Sequence, residues 1–168
     1  MACRFTAGPK FLAVEPAMAA RVEELERLRR AATPLVDLDS AAYDAVTAAY
    51  KLPKTTDAEK AARTAAVQAA VLGALDVPAR TLTTALAGLR LAVAAAPDVN
   101  ANLVSDAASG AHCLASGAEA AFYNVRINAA SLADAELAAR RLAACEREMT
   151  EVRELFARAR AAIEARLC

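Results

Sequence analysis

Tryptophan is absent, aromatic residues make up only 4% of the 168 residues, and there are just five glycines and six prolines. So few breakers leave long stretches that nothing interrupts. No run alternates β-branched with polar residues as a half-buried strand would, which excludes a sheet protein. The lone histidine, His112, has no partner at catalytic spacing and reads as a packed or half-exposed residue rather than a base. There is no Ser-His-Asp order, phosphate loop, dinucleotide fingerprint or metal motif. Cys3, Cys113, Cys145 and Cys168 are far apart and form no CxxC pair, so a disulfide framework or a zinc site is not expected and reduced cytoplasmic thiols are the default. Neither sign of charge prevails, with Lys+Arg and Asp+Glu at 20 each, which argues against a general electrostatic grip on nucleic acid. No uncharged apolar run reaches membrane-spanning length, and the opening Met1–Thr6 lacks the apolar core of a signal peptide.

What is abundant is small and apolar. Hydrophobic residues are 57% of the chain, much of it alanine. Alanine favours helix and fills little volume, so helices can pack closely. The expectation is all-α, a single domain over 1–168, built as an antiparallel bundle of about six helices. The first helix is expected from about Phe11 to Ala32, with Glu23 to Arg30 as a solvated charged face. Pro34 breaks it, and a second helix runs from about Asp39 to Tyr50, ended by Pro53. Thr56-Asp57-Ala58-Glu59 is a capping-box pattern that opens a third helix to about Leu75. Asp76-Val77-Pro78 is read as a break, followed by a fourth helix from Pro78 to Ala96. A fifth covers Asn102 to Asn128, and Ser131-Leu132-Ala133-Asp134 signals the start of a last helix that continues almost to Cys168.

The fifth helix carries Ser109, Cys113, Gly117 and Ala121 at four-residue steps. A stripe of small residues lets another backbone approach closely. Packing within the monomer and a tight helix-on-helix homodimer contact both fit, and the sequence leaves them open.

Three polar islands stand out against the alanine background. Tyr50-Lys51-Leu52-Pro53-Lys54-Thr55 sets two lysines around a proline, and Asp44 shares a helix face with Lys51. The lysines fit an anionic ligand, or plain solvated side chains with Lys51 suiting a helix C-terminus. In Asn100 to Asp106, Asn102 and Asp106 share a face beside Ser105, while an asparagine cap and a first-turn carboxylate explain the same residues structurally. Asn124-Val125-Arg126-Ile127-Asn128 holds a second amide pair, and asparagines in an apolar helix need partners. From Asn102 to Asn124 a continuous helix rises roughly 30 Å at about 1.5 Å per residue. The two islands therefore cannot line one small pocket on that helix; either one is structural or an antiparallel neighbouring subunit brings them together.

In order and spacing these islands, from Asp44 to Lys54, Asn100 to Asp106 and Asn124 to Asn128, resemble the cyclodeaminase/cyclohydrolase family over nearly the whole chain. That family includes the formimidoyltetrahydrofolate cyclodeaminase domain and methenyltetrahydrofolate cyclohydrolases. The chain departs from it at the start. Family members begin with a Pro-Gly-Gly-Gly-Ser segment and a small-residue helix, and here Met1, Phe5, Thr6 and Gly8 match the pattern that follows that helix. The expectation is a member that is short at its N-terminus and without the Gly-rich turn. The resemblance implies an all-α, cytoplasmic, usually dimeric enzyme that takes a tetrahydrofolate derivative as substrate and needs no metal or prosthetic group. It implies hydrolysis of 5,10-methenyltetrahydrofolate to 10-formyltetrahydrofolate, with release of ammonia from formimidoyltetrahydrofolate as the alternative and a non-catalytic helical dimer as the reading of another class. Asp106 is then the first candidate for the catalytic carboxylate and Asp44 the second. Lys51 assists proton transfer or, with Lys54, faces the folate glutamate, while Asn102, Ser105, Asn124 and Asn128 contact the pterin or shape the site.

Overall fold

The computed structural model describes residues 1–166, so Cys168 lies outside the described residues. Five α-helices follow one another: α1 Glu15–Ala32, α2 Leu35–Tyr50, α3 Asp57–Ala95, α4 Val104–Ala130 and α5 Ala135–Glu164. A single 3-10 turn, Ala101–Leu103, leads into α4. Among the described residues there is no strand, and no helix is long and apolar enough to cross a membrane.

The all-α expectation holds, and the count of six becomes five because the expected break at Pro78 does not occur. α3 runs straight through it for 39 residues, roughly 58 Å at about 1.5 Å per residue. An internal proline removes the N–H that would bond the carbonyl four residues back, here that of Ala74. That carbonyl is not left bare: the Asn128 side-chain amide on α4 donates to it at 2.8 Å. Pro78 itself is buried with Leu75 and Val77, so packing holds the helix on both sides of the ring.

The boundaries differ for equally local reasons. Pro34 takes the N-cap position of α2 instead of separating it from α1 by a longer break, so α2 starts at Leu35. Thr56 and Glu59 form the expected capping box, Thr56 Oγ1 accepting from the Glu59 N–H at 3.2 Å and Glu59 from the Thr56 N–H at 2.9 Å. Before α5 it is Asp134, not Ser131, that caps, accepting from the Leu137 N–H at 2.9 Å. Ser131 closes α4 at its C-terminus.

α3 is the central element and packs against each of the other four helices. Leu75, Leu82 and Leu89, two turns apart, are wholly buried against Ala118 and Val125 of α4 and Val152 and Ala159 of α5. Ala111, Ala118 and Ala121 of α4 belong to the same cluster and leave room for α4 to lie close to the leucine row of α3. Ala49 of α2 packs on Val67 and Val71, while Met18 of α1 and Cys3 pack on Ala95 and Val99 at the far end of α3. Arg90 on α3 forks onto Glu151 of α5 at 2.7 Å through both contacts, and Arg141 of α5 is ion-paired with Asp76.

Candidate functional site

The lysine island lies in the α2–α3 turn. Lys51 closes α2, its N–H bonding back to the Ala48 and Ala49 carbonyls, and Pro53 then has no N–H to continue with. Arg63, from the second turn of α3, donates Nε at 3.2 Å and Nη2 at 3.1 Å to the Tyr50 carbonyl. Its guanidinium also lies 5.4 Å from the Tyr50 ring centre. Glu59 holds the other side of the turn, accepting from the Thr55 and Thr56 N–H groups. Those donors, Thr56 first, keep its carboxyl below the ordinary range. Lys51 and Lys54 are exposed, and among the described residues neither has a carboxylate at ion-pair distance, whereas Lys60 is paired with Asp57 at 2.8 Å. Asp44 is exposed on α2, beside neither cavity described below.

The second island divides between structure and site. Asn100 caps the 3-10 turn, its side chain accepting from the Asn102 N–H at 3.1 Å. Its own N–H goes to the hydroxyl of Thr6, which is fully buried and donates to the Ala2 carbonyl at 2.9 Å. The N-terminal segment is thereby tied to the α3–α4 link. Asn102 and Ser105 are exposed. Asp106 is half-buried in the first turn of α4, where the helix dipole favours a carboxylate, and among the described residues it has no hydrogen-bond or ion-pair partner. It lines a cavity of about 140 Å³ walled by Cys3, Leu25, Gly88, Ala95 and Gly110.

In the third island, Asn124 is exposed and donates back to the Ala120 carbonyl at 3.1 Å. It lines a larger groove of about 570 Å³ between the start of α2, the middle of α3 and α4, with Val36, Pro78, Cys113 and Gly117. Asn128, one turn on, points instead to Ala74 of α3. Of the small-residue stripe, Ala121 enters the core while Ser109, Cys113 and Gly117 stay exposed.

Leu114 lines both the groove and the Asp106 cavity. A Cβ on Gly88 would come within 2.9 Å of the Leu114 side chain, so this glycine leaves the leucine its place. Asp106 and Asn124 thus stand at opposite ends of one α3–α4 seam, as the helical rise required. Among the described residues the two line different cavities, and neither of these includes Lys51, Lys54, Asn102, Ser105 or Asn128. His112 is exposed and meets Phe156 edge-on at 4.8 Å.

The family described as Formiminotransferase-cyclodeaminase matches residues 1–147. The chain belongs to this family. A methenyltetrahydrofolate cyclohydrolase of Methylorubrum extorquens is 36% identical over 152 residues, covering 90% of this chain and 73% of that protein. The crystal structure of a formiminotetrahydrofolate cyclodeaminase from Thermotoga maritima has the same fold, with a TM-score of 0.88 over 100% of this chain and 80% of that one at 24% identity.

For a Formiminotransferase-cyclodeaminase family member the arrangement offers three kinds of group. Among the described residues there is one sheltered, unpaired carboxylate, Asp106; one amide lining an apolar groove, Asn124; and one braced turn with two ammonium groups that have no ion-pair partner, Lys51 and Lys54. Sequence reasoning missed Arg63, Thr6 and Leu114. Arg63 lies thirteen residues from the carbonyl it holds and Thr6 ninety-four from Asn100, so no local spacing signals either contact.

Proposed function

We propose that the chain hydrolyses 5,10-methenyltetrahydrofolate to 10-formyltetrahydrofolate. The observation that carries this reading is the 36% identity to a methenyltetrahydrofolate cyclohydrolase across 90% of the chain. The methenyl carbon bears an amidinium-type positive charge shared with N5 and N10. Water adds to that carbon and gives up one proton, leaving a neutral carbinolamine. Its hydroxyl then loses the second proton as the bond to N5 breaks and N5 takes a proton, so a formyl group remains on N10 and one proton is released overall. A carboxylate beside the carbon stabilises the cation and accepts the proton from water. We assign that role to Asp106 over Asp44, because Asp106 is half-buried at a cavity with largely apolar walls and Asp44 is exposed. Low local polarity strengthens the interaction between carboxylate and cation. Lys51 and Lys54 face the glutamate carboxylates as compact charges with three donors each. Asn124 offers its amide to the pterin at the groove.

The reading includes a cytoplasmic homodimer. The exposed face of α4 is nearly without side-chain bulk at Ser109, Cys113, Gly117 and Ala120. Val36 and Ile127 beside it are 73% and 65% exposed. A second copy laid antiparallel along this face would bring the Asn124 end of one chain to the Asp106 end of the other. Release of ammonia from formimidoyltetrahydrofolate is the competing activity, favoured by the family's description.

The test is absorbance of 5,10-methenyltetrahydrofolate with the purified chain and with Asp106→Ala. Accelerated loss of the methenyl chromophore, reduced roughly a hundredfold or more by the substitution, is expected from the usual size of general-base effects. No acceleration, together with ammonia released from formimidoyltetrahydrofolate, would overturn the hydrolase reading and assign the other reaction.

A further inference from the structure

The turn that carries Lys51 and Lys54 is fixed at both ends. At its start the Arg63 guanidinium forks onto the last carbonyl of α2, at 3.2 and 3.1 Å, and covers the face of the same residue's ring at 5.4 Å. At its end Glu59 accepts from two consecutive N–H groups, at 2.8 and 2.9 Å. Pro53 restricts the backbone between them. Glu59 serves the cap of α3, whereas Arg63 reaches across to the end of α2, beside the packing of Ala49 on Val67 and Val71. The lysines themselves have no ion-pair partner among the described residues, although Lys60 on the neighbouring turn has one. The result is a turn hydrogen-bonded at both ends that bears two ammonium groups with no ion-pair partner among the described residues.

We infer that Arg63 is a positioning residue for recognition of the folate glutamate tail: by clamping the Tyr50 carbonyl it fixes the backbone from which Lys51 and Lys54 reach the tail carboxylates. This rests on the reading above that the two lysines meet the tail. Arginine suits the task because its planar fork makes both contacts at once, which the single ammonium of lysine cannot do. The fixed backbone lowers the ordering cost of binding, and Arg63 touches no reacting atom.

The experiment compares Arg63→Ala, Arg63→Lys and Lys51→Ala/Lys54→Ala in the full chain. KM and kcat are measured on 5,10-methenyltetrahydrofolate and on the corresponding methenyltetrahydropteroate, which lacks the glutamate. Binding of p-aminobenzoylglutamate, the tail alone, is followed by calorimetry. Losing pre-organisation of two long side chains should weaken tail binding on the order of tenfold. The expected result is that rise in KM for the glutamate-bearing substrate with Arg63→Ala, a smaller rise with Arg63→Lys, and kcat changed by far less. No such rise is expected on the tail-less substrate, and Arg63→Ala should add little on top of the double lysine variant. If the lysine variant loses tail binding and Arg63→Ala does not, Arg63 has no positioning role although the lysine reading stands. If neither variant moves KM or calorimetric binding, the lysine reading fails and takes the proposal with it. Equal losses on both substrates would reduce Arg63 to a structural tie and overturn the proposal.

Discussion

Asn128→Ala is the perturbation whose cost the structure defines most closely. Pro78 lacks the N–H that should reach the Ala74 carbonyl, and the Asn128 amide supplies the missing donor at 2.8 Å. Deleting that amide leaves the carbonyl unsatisfied. Such a loss costs about 1 to 2 kcal/mol where the site is partly buried, the lower part of the usual range. For a chain of this size that lowers the melting temperature by roughly 2–8 °C. The decisive measurement is a double-mutant cycle with Pro78→Ala, read by thermal and urea unfolding followed by far-ultraviolet circular dichroism. Alanine at 78 restores the backbone N–H, so Ala74 no longer depends on α4. In that background Asn128→Ala should cost only about 0.5 kcal/mol, a coupling of about 1 kcal/mol, well above the scatter of additive pairs. Equal costs in the two backgrounds would refute the argument that Asn128 stands in for the proline's absent donor. They would return Asn128 to the groups free to meet a ligand.

Gly73 lies inside α3 with nothing within 4 Å of an added Cβ, so Gly73→Ala should stabilise by about 0.5–1 kcal/mol through helix propensity alone; an unchanged or lower melting temperature would contradict this. Gly117 is equally open, and Gly117→Ala should likewise stabilise the single chain while raising the dissociation constant of self-association in sedimentation equilibrium. Unweakened association would remove the α4 face from the proposed contact. The Glu59 carboxyl is held below the ordinary glutamate range in the folded chain by the Thr56 and Thr55 N–H groups. Its contribution is therefore full at and above the ordinary range and disappears as pH falls through the lowered folded value. Melting temperature measured as pH is lowered should drop less steeply for Glu59→Gln than for the parent, and parallel curves would show that the cap contributes nothing to acid sensitivity.

Periodicity and capping chemistry were enough to locate α1, α2, α4 and α5 to within a few residues, because those signals act over one or two turns. The Thr56–Glu59 box is such a case, with both partners inside four residues. Pro78 shows where local reading stops. Within its own helix a proline is a breaker, and only an amide fifty residues further along the chain makes it tolerable. The polar islands behaved in the same way. Their presence was evident, since asparagines are poor helix formers and two lysines around a proline stand out against an alanine background. Which of them face a cavity was not.

The sequence by itself determined an all-α chain, a family and three places where polarity needs a reason, since composition, spacing and helix geometry are properties of the chain as written. Only the tertiary structure decided which reason applies. It turned Asn128 onto the Ala74 carbonyl, left Asn124 at an apolar groove, sheltered Asp106 beside the N-terminal segment, and brought Arg63 across to the end of α2. Those outcomes depend on which helices become neighbours. That is settled by the burial of the whole core at once, and no single stretch of residues contains it.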